Sequence, residues 1–459
     1  MDLVALVALT LAGSWLAAPV GRSAPVALLG RLAQGYLVGA IVAGFVAAQF
    51  ESRGVTSYAL PLLAAIGLAA IAAIVRELRR VPVSTERRRG AALAFAVLAV
   101  LVLAHTLLAL LEVRERPPYP WDAWTNWLFR ARAWYLEPGV TFAWAPDAAS
   151  GATALQVPGA HYPASVPGLV AWLARLSGEW SWPRLLLAWP LAYAATSIAV
   201  VAFADQALRS RTLAVIAAIA FATAPFVVTH AMLAGYADLF LTGTLVVALA
   251  AAYEWRRGGR LSIATVAAFA VPVLVKIEGL VWIVLLVLAL ALAARPRLSA
   301  AVVAASVLAL VATVLVLPEG IHLFGERVVL SADFVRVPYL GETQLTLNPV
   351  FGPLVHAALL SETFGVAFWA IIAAALAALP LRRRLKAPRS RAEREAQRVL
   401  AIHGGLALTF TLALFAFTVA GRWAVDQTSL SRVLMQTLPL WLILAARVFE
   451  PLDPRAADR

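Results

Sequence analysis

Four segments far apart in the chain place ionisable residues where apolar sequence would otherwise run on. The first is Pro117-Pro118-Tyr119-Pro120-Trp121-Asp122-Ala123-Trp124-Thr125-Asn126-Trp127, directly after an apolar stretch. The others are Gly235-Tyr236-Ala237-Asp238, Lys276-Ile277-Glu278-Gly279, and Asp426-Gln427-Thr428-Ser429 followed by Ser431-Arg432. A carboxylate between tryptophans at a membrane boundary suits accepting a hydroxyl proton or ligating a metal. Lysine and arginine suit a phosphate, the first as a compact charge and the second as a bidentate fork. Ionisable groups within membrane segments are costly and are functional hypotheses by default.

The spacing predicts a helix over 121–136, with Pro120 at its start, where a missing N–H costs nothing. At 3.6 residues per turn Trp121, Trp124, Leu128 and Tyr135 fall on one face, as in a helix lying in the membrane interface. Asp122, Asn126 and Arg130 follow at i, i+4 and i+8 on another face. The first turn favours an ionised Asp122 through the helix dipole. Each feature also has a plain structural reading. Asp122 would cap a helix inside an aromatic belt, and Asp238 would cap the next helix. Lys276 and Glu278 would pair at the surface, and Arg432 would anchor the interface. His230, eight residues before Asp238, is a further metal-ligand candidate, although helix-end histidines are more often structural. His105 lies inside a span and is expected to find its partner within the bundle. Glu319, His322, Glu326 and Asp333 are candidates for shaping an acceptor site.

The elements that must position these groups are membrane helices. Of 459 residues 62% are hydrophobic and 14% charged, with mean hydropathy +0.84, against about a quarter charged in soluble domains. Apolar stretches fall near 3–20, 32–50, 57–76, 90–112, 183–203, 213–230, 237–255, 261–275, 279–294, 299–317, 362–381, 399–420 and 433–449, about thirteen spans in an all-α polytopic protein. The net charge of +13 does not indicate nucleic-acid binding, because the basic residues sit in short loops between spans. Loops 76–89, 256–260, 295–297 and 382–398 are thereby assigned to the cytoplasmic side and face anionic headgroups. Loops 113–182, 318–350 and 421–432 are then outside. The largest, 113–182, is expected to hold two surface helices, 121–136 and 168–177. With no cysteine, disulfides and thiolate metal sites are excluded. The N-terminus lacks a basic region and reads as a retained first helix. No phosphate-binding glycine loop, Ser/His/Asp arrangement or HExxH is found.

Trp121-Asp122-Ala123-Trp124 with Trp127-Leu128-Phe129-Arg130-Ala131-Arg132 resembles the first outer loop of GT-C glycosyltransferases. These polytopic enzymes use lipid-phosphate-linked sugars and include bacterial relatives of the aminoarabinose and mannosyl transferases. His161-Tyr162-Pro163 with Pro167-Gly168, the Lys-x-Glu-Gly stretch at 276–279, and Arg432 ahead of Pro439 resemble further parts of that family. The resemblance extends loosely over 90–440. It implies accessory helices over 1–89, a GT-C-like catalytic module over 90–450 containing outer loop 113–182, and a cytoplasmic tail, 451–459. It implies Asp122 as the catalytic carboxylate. Trp121, Asn126, Arg130, His161, Tyr162, Tyr236, Lys276, Glu278 and Arg432 would line the substrate site. Asp122 and Asp238 would hold a divalent cation, Mg2+ or Mn2+, if one is used. The implied reaction is inverting transfer of a hexosyl or pentosyl group from a polyprenyl-phosphate donor to an envelope glycan, lipid or protein. It would take place at the outer face of a bacterial cytoplasmic membrane. Two other classes are compatible with the same residues. A transporter or flippase of lipid-linked saccharides would have broken helices in matching positions. A non-catalytic scaffold would leave Asp122, Lys276 and Arg432 more than about 20 Å apart, roughly two helix diameters.

Overall fold

The computed structural model describes residues 2–14, 24–78, 89–143, 154–258, 260–294, 321–323, 326–330, 334–337, 341–381 and 390–452. The first part of the chain forms α1 (Asp2–Gly13), α2 (Ala24–Glu51), α3 (Ala59–Leu78), α4 (Arg89–Glu115), α5 (Leu128–Leu136) and α6 (Ser165–Ser177). The middle forms α7 (Trp182–Leu185), α8 (Ala188–Ala207), α9 (Arg211–Ala222), α10 (Pro225–Met232), α11 (Asp238–Gly258), α12 (Ile263–Val275) and α13 (Ile277–Ala294). After these come α14 (Phe351–Val355), α15 (Ala367–Leu381), α16 (Arg391–Phe417), α17 (Gly421–Val425) and α18 (Leu430–Phe449).

Among the described residues seven helices are long and apolar enough to cross a membrane: α2, α4, α7–α8, α11, α13, α16 and α18. The pair α9–α10, bent by 55°, makes an eighth if counted as one span. Its bend has a local cause. Ala224 is extended ahead of Pro225, which opens α10 at its first turn, as the residue before a proline is driven out of helix. Of the thirteen spans expected, those at 3–20, 57–76, 261–275 and 362–381 correspond to shorter apolar helices. A 13-residue helix such as α12 reaches only about 20 Å at 1.5 Å per residue, short of a bilayer core of about 30 Å. The stretch 299–317 lies outside the described residues.

The lipid-facing surface is legible in α4, where Leu93, Val97, Val100, Leu103, Leu107 and Leu111 are all exposed at helical spacing. The opposite extreme is α11, which packs against α2, α8, α12, α13, α16 and α18 and is buried along nearly its whole length. Thr242 and Thr244 satisfy their hydroxyls on the carbonyls one turn back, Asp238 and Phe240, so a central helix can carry them at no polar cost. It is this helix that presents Asp238.

The helices define two ends. Arg256 at the end of α11 meets Glu395 near the start of α16 at 2.7 Å. Arg447 at the end of α18 reaches Gln397 at 2.7 Å. Asp122, Asp238, Lys276 and Arg432 gather where the same helices have their other termini.

One expectation needs correction. The stretch 168–177 is not a surface helix: α6 begins at Ser165 and is buried from Ser165 to Ala174. It crosses α2 at a glycine pair. A Cβ on Gly44 would lie 2.0 Å from the Ser165 carbonyl oxygen, and one on Gly168 would lie 2.0 Å from that of Gly44. Small residues here let the two backbones touch. Loop 318–350 adds a small sheet to the helical fold expected from sequence. Strands β3 (Ile321–Leu323), β4 (Glu326–Leu330), β5 (Phe334–Val337) and β6 (Gly341–Gln344) form an antiparallel meander. A two-residue parallel pair, β1 (Phe142–Ala143) with β2 (Leu155–Gln156), pins loop 113–182. His322 and Glu326 stand on β3 and β4. Glu319, Asp333 and most of the tail 451–459 lie outside the described residues.

Candidate functional site

Asp122, Asp238, Lys276 and Arg432 form one charged cluster at the end of the bundle. Arg432, in the first turn of α18, bridges two carboxylates. Its Nη2 donates to Asp122 Oδ2 at 2.5 Å and lies 2.8 Å from Asp238 Oδ2, while its Nε donates to Asp238 Oδ2 at 2.9 Å. Asp238 also accepts from Lys276 Nζ at 3.1 Å and from Gln436 Nε2 at 2.9 Å. Lys276 then pairs with Glu278 Oε1 at 3.0 Å. Three carboxylates (Asp122, Asp238, Glu278) face two cations (Lys276, Arg432), a formal excess of one negative charge.

The members differ in access. Asp238 and Lys276 are buried, with side-chain exposures of 0% and 4%. Asp122 and Glu278 are each 29% exposed. Asp238 is therefore the fixed centre: buried charge is tolerated only when paired and hydrogen-bonded on every side, and both its oxygens are taken. Its place at the N-terminus of α11 adds the helix dipole. Among the described residues Asp122 has one hydrogen-bonding partner, Arg432, and it is half-buried. Arg432 Nη1 has no hydrogen-bond partner among the described residues.

The local folding that positions each group is specific. Asp122 sits at the start of a π-turn, Ala123–Trp127, in which the Leu128 N–H reaches back to the Ala123 carbonyl. Its side chain makes no capping bond, so the helix-cap reading fails and the carboxylate is committed to Arg432. The extra residue in that turn also changes the faces expected of a regular helix. Trp121 and Trp124 are exposed, but Leu128 is buried in the core and does not share their interfacial face. Lys276 is the single extended residue between α12 and α13. These form a tight hairpin, in which a Cβ on Gly279 would lie 1.9 Å from the Pro272 carbonyl oxygen. The hairpin tip aims the lysine inward, which replaces the surface Lys–Glu reading.

Not all expected site residues join the cluster. Trp121 lies on the surface, 75% exposed. Asn126 is buried and presses on Gly159, where an added Cβ would meet its Nδ2 at 2.2 Å. Arg130 is buried and donates from Nη1 to the Tyr162 carbonyl at 2.9 Å, with its guanidinium 5.4 Å from the Phe142 ring centroid. Arg130 thus ties down the Gly159–Tyr162 turn, and Asn126 packs against it. That turn delivers Tyr162, whose ring lies 5.5 Å from Lys276 Nζ, 5.3 Å from Trp127 and 4.6 Å from His161. The Glu278 charge and then burial push the Tyr162 hydroxyl up to about 12. Burial also holds His161 below the ordinary histidine range, with Glu278 working against it. On the other flank Tyr236 puts its ring 4.8 Å from the Arg432 guanidinium, and its carbonyl accepts from Trp189 Nε1 at 2.7 Å.

Gln436 and Trp282 went unnoticed in the sequence. Trp282 Nε1 donates to Gln436 Oε1 at 2.7 Å. An indole N–H can only donate, so it fixes the amide with its nitrogen toward Asp238. Gln436 lies one turn beyond Arg432 on the same helix face, a spacing that was available as a signal. His230 donates from Nδ1 to the Phe226 carbonyl at 3.0 Å and packs 5.1 Å from Tyr236, the structural role expected of it. His105 pairs with the Tyr193 hydroxyl at 3.0 Å within the bundle, as expected.

A divalent cation held by Asp122 and Asp238, as the family resemblance implies, does not fit this donor set. Arg432 stands between the two carboxylates, and no group of three His, Cys, Asp or Glu among the described residues is placed to hold a metal ion.

No protein-family model, curated protein or solved structure matches this chain. The described structure defines the class alone, a multi-pass helical membrane protein with an ionic cluster at one end.

Proposed function

We propose that the protein is a membrane glycosyltransferase of GT-C type that uses a polyprenyl-phosphate-linked sugar and works at the outer face of a bacterial cytoplasmic membrane. The observation that carries this reading is the Asp122–Arg432–Asp238–Lys276 cluster, drawn from four segments up to 310 positions apart to one end of the bundle. A scaffold has no use for so costly an arrangement. A transporter with paired broken helices is less well supported, since one bent pair is found among the described residues.

In this reading the acceptor hydroxyl hydrogen-bonds to Asp122, whose one partner among the described residues is Arg432. As the hydroxyl oxygen attacks the anomeric carbon, its proton passes to Asp122. The bond from that carbon to the donor phosphate breaks, and polyprenyl phosphate leaves with the electron pair. Inversion follows from a single displacement. Arg432, through its Nη1, which has no hydrogen-bond partner among the described residues, stabilises charge on the departing phosphate. Held by Asp238 and Glu278, Lys276 compensates Asp238 and so lets Arg432 be shared with Asp122. Tyr162, His161 and Tyr236 supply aromatic walls suited to a sugar.

The test is Asp122→Asn, which keeps the shape and removes the proton acceptor. In a strain lacking the gene, mass spectrometry of envelope glycolipids and glycans should reveal a missing sugar, restored by the wild-type gene. The variant, present at normal levels, should restore it at a rate lower by about 10²–10⁴-fold. Full restoration by the variant would remove Asp122 from the chemistry.

A further inference from the structure

Four aromatic side chains of loop 113–182 form an unbroken row that starts at the turn carrying Asp122. Trp124 meets Trp182 with ring centroids 5.7 Å apart, Trp182 meets Trp180 at 5.1 Å, and Trp180 meets Tyr135 at 5.5 Å. We infer that this row is the acceptor subsite, and that the acceptor is an oligosaccharide lying along it with its terminal hydroxyl at Asp122. The inference rests on the proposed function and narrows its acceptor from glycan, lipid or protein to glycan.

The row has the length and direction that an extended chain needs. Trp124 lies in the π-turn directly after Asp122, and Tyr135 lies near the end of α5. They are 11 residues apart, about 16 Å along a helix at 1.5 Å per residue. Trp180 and Trp182, on the connection from α6 into α7, fill the interval. Trp124 is 44% exposed; the other three are half-buried, each packed on the core by one side. The two Trp–Trp contacts are edge to face, at 70° and 83°, and the Tyr135–Trp180 contact is tilted at 45°. Such contacts leave open ring faces that parallel stacking would cover. The carbon-bound hydrogens on one face of a sugar ring carry partial positive charge, which complements the negative face of an aromatic ring.

An aromatic belt would serve the membrane instead, but the surroundings of the row are those of a wet surface. Trp182 opens the α7–α8 span, and from there the row leads back through Trp180 to Tyr135. Beside Trp180 and Trp182, Arg184 pairs with Glu179 at 2.6 Å, their side chains 54% and 57% exposed. So open a pair of charges would be costly against acyl chains. At the far end the Tyr135 hydroxyl donates to the Gly178 carbonyl at 3.1 Å, and the Arg175 guanidinium lies 5.0 Å from the ring centroid. The charges along the row are already matched, Glu179 with Arg184 and Glu51 with Arg175. The row therefore offers ring faces and no spare charge, which suits a neutral glycan better than a phosphorylated lipid or a charged peptide.

The probes are oligosaccharides released from the envelope of the strain lacking the gene, separated from single sugars by size. Offered to the full-length protein in detergent and read by native mass spectrometry, the longer chains should be retained and the single sugars should not. The double substitution Trp180→Ala, Trp182→Ala should lower retention by about tenfold or more, and Trp124→Ala, at the exposed end, by about three- to tenfold. Failure of the wild type to retain any chain would overturn the inference. Unchanged retention by Trp124→Ala would do the same, whatever becomes of the double variant, and would leave the row as a membrane anchor. Transfer is not measured in any arm. Lost retention alongside a missing envelope sugar would remove the acceptor assignment alone, whereas an envelope with no missing sugar would remove the enzyme reading itself.

Discussion

Arg432 performs two tasks that a simple cation could not combine. Its fork holds Asp238 through Nε and Nη2 while the same Nη2 reaches Asp122. A lysine has the charge without the planar fork and would serve one carboxylate at a time. Arg432→Lys should therefore lower the proposed sugar transfer by on the order of 10²-fold, the scale of losing one preorganised charge-stabilising donor. An unchanged rate would mean that bridging is dispensable. His161 permits a pH test at the same scale. Burial keeps its pKa in the fold below the unfolded value of about 6.5. Between these two values the unfolded chain binds more protons, so the histidine's contribution to stability is present above about pH 6.5 and is lost as pH falls. Melting temperature should drop more between neutral pH and about pH 5 in the wild type than in His161→Gln. An equal drop in both would exclude His161 as the source.

At the scale of elements, the cluster depends on how short connections are built. The turn before α11 passes through Gly235 at φ +125°, where a Cβ would lie 2.5 Å from the Ala123 Cβ, in the π-turn that carries Asp122. Backbone conformation and steric room both demand glycine. Gly235→Ala should cost about 1–3 kcal/mol and, by pushing the π-turn, reduce transfer beyond what the lost stability explains. Melting and turnover measured on one preparation separate the two effects; a stable variant with normal turnover would show that the turn can yield. The α12–α13 hairpin works in the same way for Lys276, because the one-residue break leaves the lysine no route to the surface.

Across the whole molecule, loop 113–182 is tied to the membrane helices by a second buried ion pair. Arg175 on α6 holds Glu51, the last residue of α2, at 3.0 and 3.2 Å, and also bonds the Trp134 carbonyl. Tyr58 adds its hydroxyl to Glu51 at 2.8 Å. With Glu51 fully buried, removing it strands Arg175. Glu51→Ala should cost about 3–5 kcal/mol, as for other broken buried pairs, and Glu51→Gln less. Thermal melting in detergent would read this, and a wild-type melting curve for the alanine variant would mean that the pair does not tie the loop to the spans.

The sequence by itself determined the class of molecule and marked the charged residues that the structure gathers into one cluster. Apolar length and sparse charge force membrane helices, because a bilayer admits little else. For the same reason, ionisable residues at span ends stand out, and Asp122, Asp238, Lys276, Glu278 and Arg432 were all legible as candidates. What those residues do to one another was not legible, because pairing across as many as 310 positions depends on how helices pack. Local spacing even misled in places. It grouped Asn126 and Arg130 with Asp122, yet both face the Gly159–Tyr162 turn, since a single π-turn shifts every later residue around the axis. It also placed 168–177 at the surface, although glycine contact draws α6 into the bundle. Only the tertiary structure made Asp238 the buried centre and left Asp122 half-buried beside it, because burial and partner number are properties of the packed assembly and of no single segment.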